Sequence, residues 1–197
     1  MNTAILAGGG ATRFGGRPKG LELVGGRRIL DRLVDVCVDA FGRLPLLIAN
    51  APDAPTWRPD LRVVPDLRPG LGAVGGILTA VMVAPAPVVV VAWDMPFVTA
   101  PLLRLLAARL DGADAVLPAS GSRRGVEPLC AGYGPACGPA IEQAIAAGDQ
   151  RAIGFHAGVR VTVVAVAELR TLGDPARLFF NVNRPEDLDV AGRFAAE

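Results

Sequence analysis

A glycine-rich loop near the start of the chain carries two cationic side chains that suit a polyphosphate ligand. Three successive glycines follow an apolar run at residues 4–7, and Arg13 and Lys19 come next along the loop. Glycines at the end of a strand let the backbone turn tightly and bring bare N–H groups against a ligand. Arginine and lysine add charge-assisted hydrogen bonds to phosphate oxygens. The loop is predicted to bind nucleotide phosphates; the alternative is a plain glycine-rich surface turn.

Two common phosphate-binding loops do not match this pattern. A Walker A loop requires Gly-Lys-Ser/Thr, but Lys19 lies between Pro18 and Gly20. The dinucleotide-binding fingerprint requires a third glycine three residues after the second, and counting from Gly10 that position is Arg13. The loop therefore belongs to neither class.

Three polar side chains stand directly after apolar runs elsewhere in the chain. Asn50, Asp66 and Asp94 follow the runs at 46–49, 62–64 and 88–92. Ligands of an open parallel sheet bind outside the carboxyl ends of its strands, so we expect these side chains to lie beside the glycine loop. Asp94 suits Mg²⁺, which prefers one or two carboxylates together with phosphate oxygens and water. Asp66 precedes a Pro-Gly pair, and a turn-forming role is its alternative.

The elements that must position these residues alternate between strand and helix. Apolar spacing predicts helices over 29–41, 74–83, 99–110 and 135–147. Short apolar runs predict strands over 4–7, 46–49, 62–64, 88–92, 115–117, 127–133 and 159–165, with a last apolar run at 179–182. Such alternation predicts an α/β fold in which one doubly wound, mainly parallel sheet spans a single domain, residues 1–197.

Composition narrows the functional class. The chain of 197 residues is 51% hydrophobic and 5% aromatic, as in sheets buried on both faces, and its net charge of +1 gives no case for nucleic-acid or membrane binding. Cys37, Cys130 and Cys137 form no CxxC pair, which favours a reducing cytoplasm. A single histidine, His156, excludes a multi-histidine metal site. The uncharged segment 69–93 is broken by glycines and prolines, so we do not expect it to span a membrane.

Several motifs together resemble one family. The loop reads L-A-G-G-x-x-x-R-F-G-G-x-x-K from Leu6 to Lys19, and it resembles the signature loop of molybdenum cofactor guanylyltransferases. The segment V-V-A-W-D-M-P-F around Asp94 resembles the D-x-P motif of that family. Glu127-Pro128-Leu129 resembles its E-P-L segment, and the stretch 180–188 resembles its ending. The resemblance implies a Rossmann-like nucleotidyltransferase fold across nearly the whole chain.

The resemblance also implies an activity and a set of site residues. The reaction would join GMP from GTP to the phosphate of molybdenum-molybdopterin and release pyrophosphate, with Mg²⁺ as cofactor and with recipient molybdoenzymes or their chaperones as further partners. Arg13, Lys19 and Asp94 would be catalytic, and Asp94 and Asn183 would hold the metal. The N-terminal half would bind the nucleotide and the C-terminal half the acceptor. The nucleotide-binding set would be Leu6, Ala7, Gly8, Gly9, Gly10, Lys19, Asn50, Asp66 and Asp94.

Three alternatives remain open from sequence. The same chemistry with another substrate pair, as in a molybdopterin cytidylyltransferase or a sugar-phosphate nucleotidyltransferase, would use a very similar loop. A non-catalytic nucleotide-binding protein that delivers cofactor is a rival of another class. At the residue level, Asn183 has a competing explanation as the cap of the closing helix, with Glu186 as its capping-box partner.

Overall fold

The described part of the chain, residues 1–8, 18–84, 86–122 and 124–196 of a computed structural model, is built around a seven-stranded sheet. Its order is β5-β4-β1-β6-β8-β7-β9, and β8 alone among these strands runs antiparallel to its neighbours. The predicted mainly parallel sheet is confirmed. The strands are β1 (Asn2–Leu6), β2 (Leu23–Val24), β3 (Arg27–Arg28), β4 (Leu46–Ile48), β5 (Val63–Val64), β6 (Val88–Ala92), β7 (Ala115–Pro118), β8 (Cys130–Tyr133) and β9 (Val161–Val164).

Helices cover both faces of the sheet, as a doubly wound fold requires. One helix pair, α1 and α4, packs against the face that carries Ile5, Val89 and Val91, and the pair α3 and α5 packs against the face that carries Leu6 and Val90. This alternation follows the two-residue period of a strand. The helices are α1 (Ile29–Phe41), α2 (Ala54–Trp57), α3 (Ala73–Val83), α4 (Ala100–Ala108), α5 (Cys137–Ala146), α6 (Val166–Leu169), α7 (Pro175–Leu178) and α8 (Pro185–Ala196).

The central strand is β6, formed by the continuous apolar run at 88–92. All five of its residues are buried, because helices lie on both of its faces and strands on both of its sides. It pairs with β1 in parallel register, with Leu6 opposite Ala92. The ends of these two strands therefore meet at one edge of the sheet.

Several short elements differ from the sequence-based prediction. The helices α2, α6 and α7 and the β2–β3 hairpin were not predicted; α2 lies in the proline-rich segment 51–59. The apolar run at 179–182 belongs to no described strand or helix. The three unpredicted helices have four residues each, about one turn, so no repeat of apolar residues at helical spacing can show. Each strand of the hairpin has only two residues.

The long uncharged segment divides into α3 and β6. Within the ranges that the structure describes, no helix is long and apolar enough to cross a bilayer.

A close contact between Gly20 and Trp93 fixes the end of the glycine loop on the sheet. The Trp93 side chain is buried and stacks on Trp57, with 5.3 Å between the ring centroids. A Cβ atom at Gly20 would lie only 2.4 Å from Cε3 of Trp93. Glycine is needed here because no side-chain atom fits between the backbone and the indole ring. Lys19 is thereby held next to the carboxyl end of β6.

We expect Gly20→Ala to lower the free energy of unfolding by about 1–3 kcal/mol, because the stacked ring cannot move away without disturbing the core. Urea denaturation of the purified variant measures the change. Gly192→Ala in α8 is the matched control, since a Cβ there meets nothing within 4 Å. Removing a helical glycine should leave stability unchanged or raise it by about 0.5–1 kcal/mol. Equal stability of the two variants would contradict the packing argument.

Candidate active site

The carboxyl ends of four strands are aligned at one edge of the sheet by their hydrogen bonds. The Ala7 N–H donates to the Ile48 carbonyl at 2.8 Å, and the Trp93 N–H donates to the Leu6 carbonyl at 3.2 Å. The Ala49 N–H likewise donates to the Val64 carbonyl at 3.0 Å. The residues that follow these strands therefore leave the sheet side by side.

A cavity of about 570 Å³ opens at this edge. The predicted site residues that the structure describes line it, apart from Ala7. The Ala7 N–H donates to the Ile48 carbonyl in the sheet, and the Ala7 carbonyl accepts no hydrogen bond from the described residues. The lining of the cavity includes Leu6, Gly8, Lys19, Asn50, Asp66, Asp94, Leu129 and Asn183. The remaining predicted residues, Gly9, Gly10 and Arg13, lie outside the described part of the chain.

Lys19 joins the two residues that the resemblance assigned to the metal. Its Nζ donates to Oδ1 of Asn183 at 3.2 Å and lies 3.6 Å from Oδ2 of Asp94. The Lys19 side chain is 12% exposed and that of Asp94 is 18% exposed, so this ion pair is largely shielded from water. Lys19 is also the only lysine in the sequence, in which every other basic side chain apart from His156 is arginine. A compact ammonium with rotatable donors fits between two neighbouring oxygens better than a planar guanidinium does.

The electrostatics of Asp94 follow from its position at the end of a buried strand. Burial raises the pKa of the Asp94 carboxyl above its usual range, and the nearby Lys19 ammonium opposes that rise. The Asp94 carbonyl accepts a hydrogen bond from the Val182 N–H at 2.8 Å, which brings the following residue, Asn183, to the site. The run at 179–182 thus serves to tie Asn183 to the end of β6.

The capping prediction for Asn183 was wrong. The carboxylate that accepts the N–H groups of Asn183 and Arg184 belongs to Asp187, at 2.7 and 2.8 Å, and not to Glu186. The helix α8 begins at Pro185, so Asn183 lies two residues before its first turn. Its side-chain oxygen is consequently available to Lys19.

Asn50 and Asp66 form a reciprocal hydrogen-bonded pair on the other side of the cavity. Nδ2 of Asn50 donates to Oδ2 of Asp66 at 2.7 Å, and the Asp66 N–H donates to Oδ1 of Asn50 at 2.8 Å. The second bond orients the Asn50 amide, and the first lets that amide hold the Asp66 carboxylate in one orientation. Its other oxygen, Oδ1, makes no hydrogen bond to the described residues.

The loop after Asp66 is held by a residue that sequence analysis missed. The Thr79 hydroxyl of α3 accepts from the Leu67 N–H at 3.0 Å and donates to the Gly75 carbonyl at 2.8 Å. Thr79 is fully buried. Its position as an isolated polar residue in an apolar helical stretch is the sequence signal by which it could have been found.

The donors at this edge fit a hard divalent cation. Oxygen atoms of Asp94 and Asn183 already surround one cationic group, the Lys19 ammonium, and oxygen ligands are those that Mg²⁺ prefers. In the described ranges no three His, Cys, Asp or Glu side chains cluster as a metal site would require on its own. Mg²⁺ is commonly bound by one or two carboxylates together with substrate phosphates and water, so the Asp94 and Asn183 side chains would hold it together with a bound triphosphate.

Comparison with known proteins finds relatives that share nearly the whole length of this chain. The chain is 37% identical over 196 residues to a probable molybdenum cofactor guanylyltransferase of Pelotomaculum thermopropionicum, covering 99% of this chain and 93% of that protein. A solved structure of molybdopterin-guanine dinucleotide biosynthesis protein A from Archaeoglobus fulgidus superimposes with a TM-score of 0.83 at 26% identity, covering 100% and 99% of the two chains.

The fold is also shared by a solved structure of lower sequence identity. A 4-diphosphocytidyl-2C-methyl-D-erythritol synthase from Anaerococcus prevotii shares it with a TM-score of 0.73 at 15% identity, covering 100% of this chain and 96% of that one. The model of the MobA-like NTP transferase domain matches residues 3–187. The chain therefore belongs to the MobA-like NTP transferase family.

Proposed function

We propose that this protein transfers GMP from GTP to the phosphate of molybdenum-molybdopterin, forming the molybdopterin guanine dinucleotide cofactor and releasing pyrophosphate. The observation that carries the proposal is the contact of Lys19 with both Asp94 and Asn183 beside the glycine turn. Family membership and the names of the relatives support the choice of substrates.

The two substrates would occupy opposite sides of the cavity within a single domain. We assign the nucleotide to the side of β1, β4 and β5, where Gly8, Asn50 and Asp66 stand. We assign the acceptor to the side of β7, β8 and β9, where Leu129 forms the wall. The Lys19–Asp94 pair, at the end of β6, separates these sides and marks where the transferred phosphate would sit.

The chemistry requires charge neutralisation and alignment more than proton transfer. The acceptor phosphate is already an anionic nucleophile, so it attacks the α-phosphate without a general base, as the bond to the β-phosphate breaks and pyrophosphate leaves. Lys19 would neutralise phosphate charge, and Asp94 and Asn183 would hold Mg²⁺, which supplies further positive charge at the triphosphate. Holding both phosphates in line removes much of the entropic barrier.

Recognition of guanine is assigned to main-chain groups and to Asp66. No described residue donates a hydrogen bond to the Ala7 carbonyl or to Oδ1 of Asp66, and none accepts one from the Gly8 N–H. The site therefore offers two acceptors and one donor. Guanine presents two adjacent N–H donors and one carbonyl acceptor, and these groups complement two acceptors and one donor. Cytosine lacks the paired ring and amino N–H donors and would leave such groups unpaired, at about 1–3 kcal/mol each.

Pyrophosphate release with GTP, ATP, CTP and UTP, each mixed with purified molybdopterin, tests the function. GTP should support turnover at least about tenfold more efficiently than CTP, because each unpaired polar group costs about that factor. Turnover that favours CTP would identify a cytidylyltransferase. Turnover with a sugar phosphate in place of the pterin would identify a sugar-phosphate enzyme, and no turnover with any pair would favour a delivery protein.

Asp94→Asn should retain the fold, because it hardly changes the side-chain volume. It should lower kcat by about a hundredfold or more, because it removes the negative charge that would hold Mg²⁺ at the reacting phosphates. Steady-state kinetics over a magnesium titration measures the loss. Asp39→Asn is the matched control, since Asp39 forms an exposed ion pair with Arg104 on the surface. A full magnesium-dependent rate in Asp94→Asn would refute the metal assignment.

Lys19→Ala should weaken GTP binding by about tenfold to a hundredfold and leave guanosine binding unchanged, because the phosphates are the only part of GTP that the ammonium would contact. Calorimetric titration with both ligands makes the comparison. An equal loss for GTP and guanosine would mean that Lys19 acts by holding Asp94 and Asn183 in place instead.

A further inference from the structure

Glu127 is a buried carboxylate that the reaction described above does not use. It is 8% exposed, and in the described residues it is the only acidic or basic side chain classed with the buried core. It stands three residues before β8. Because β8 is antiparallel to β6, the start of β8 lies at the same edge of the sheet as the end of β6. The topology therefore brings Glu127 to the active-site edge.

Among the described residues, only one hydrogen-bond donor engages the Glu127 carboxylate. Its Oε1 accepts from the Leu129 N–H at 3.1 Å, and its own backbone N–H donates to the Pro118 carbonyl at 3.0 Å. Neither a hydrogen bond nor an ion pair to the described residues engages Oε2. Oε2 is therefore open to a donor from a partner outside the chain, and an ionised carboxylate is stabilised by such donors.

The neighbours of Glu127 place that partner on the acceptor side. The Leu129 carbonyl accepts from the Ala92 N–H at 2.7 Å, and Leu129 lines the cavity. The carboxylates of Glu127 and Asp94 are close enough to repel each other. Burial raises the pKa of Glu127, and the repulsion from Asp94 adds to that rise, whereas the Leu129 N–H and the Arg124 charge oppose it. A ligand that donates N–H groups to Oε2 would stabilise the ionised form of the carboxylate.

A purely structural role does not explain the charge. Stabilising the turn requires one acceptor for the Leu129 N–H, and a glutamine would provide it without a buried charge. An ionised carboxylate offers acceptors only, and it pairs best with adjacent N–H donors. The pterin ring of the acceptor presents such an edge, made of its 2-amino group and its N3–H.

We propose that Glu127 binds the 2-amino and N3–H edge of the acceptor's pterin ring through Oε2, an inference that rests on the proposed function. Glu127 is then a specificity-determining residue that selects a pterin-bearing phosphate. It also holds the acceptor beside the Lys19–Asp94 pair, on the side away from Asn50 and Asp66.

Binding of two fluorescent ring analogues to the wild-type protein gives a test that needs no variant. We expect 6-(hydroxymethyl)pterin to bind at least about tenfold more tightly than 6-(hydroxymethyl)lumazine, in which an oxo group replaces the 2-amino group and would face the carboxylate. Equal binding of the two analogues would overturn the proposal.

Glu127→Gln tests the residue itself, since the amide can keep the acceptor for the Leu129 N–H while placing a donor where Oε2 was. It should weaken pterin binding about tenfold or more, remove the preference over lumazine and leave the Kd for GTP with Mg²⁺ unchanged. Glu168→Gln, which affects a surface ion pair with Arg109, is the control and should change none of these values.

Two further results separate the possible failures. An equal loss of GTP and pterin affinity in Glu127→Gln would overturn the proposal, because Glu127 would then act through Asp94 or the metal. Pyrophosphate release with an acceptor that lacks a pterin, and none with molybdopterin, would reject the proposed function and this inference together. Equal binding of pterin and lumazine by an enzyme that does turn over molybdopterin rejects the inference alone.

Discussion

The contact of the Lys19 ammonium with Asp94 and Asn183 is the interaction on which the site depends. It joins the end of the glycine loop, the end of β6 and the segment before α8 around one positive charge. A half-buried carboxylate is costly without such a partner, and a buried lysine is costly without acceptors. Neither Lys19 nor Asp94 would be stable in its place alone, so the fold must deliver all three residues together.

The sheet delivers them by a geometric rule. Parallel strands that are aligned by register release their following residues at one edge, and β1, β4, β5 and β6 do so here. The Gly20–Trp93 contact then presses the lysine-bearing turn onto the end of β6. Core packing thus sets the position of a cation that the cavity exposes to ligand, which links the stability of this region directly to its function.

The carboxylates on the two sides of the cavity differ in how deeply they are buried. Asn50 is exposed, Asp66 is partly exposed and the two bind each other, whereas Glu127 is 8% exposed and its Oε2 makes no hydrogen bond to the described residues. A partly exposed carboxylate suits ribose or a base that arrives with water, while a largely buried one suits a flat ring that displaces water. The reversal of β8 creates this asymmetry, because it brings the start of a strand to an edge otherwise made of strand ends.

Local sequence determined the α/β alternation, the buried central strand and the polar residues that follow each strand. A strand that is buried on both faces reads as a continuous apolar run, and the end of that run can be recognised within a few residues of sequence. Only the tertiary structure decided the partners. Lys19 and Asn183 are 164 residues apart, and Asn50 and Asp66 are 16 apart. The choice of Asp187 over Glu186 beside α8, and the burial of Glu127 next to Asp94, likewise depend on where the backbone places each side chain. No periodicity encodes such contacts, because they arise from strand register and direction across the whole sheet.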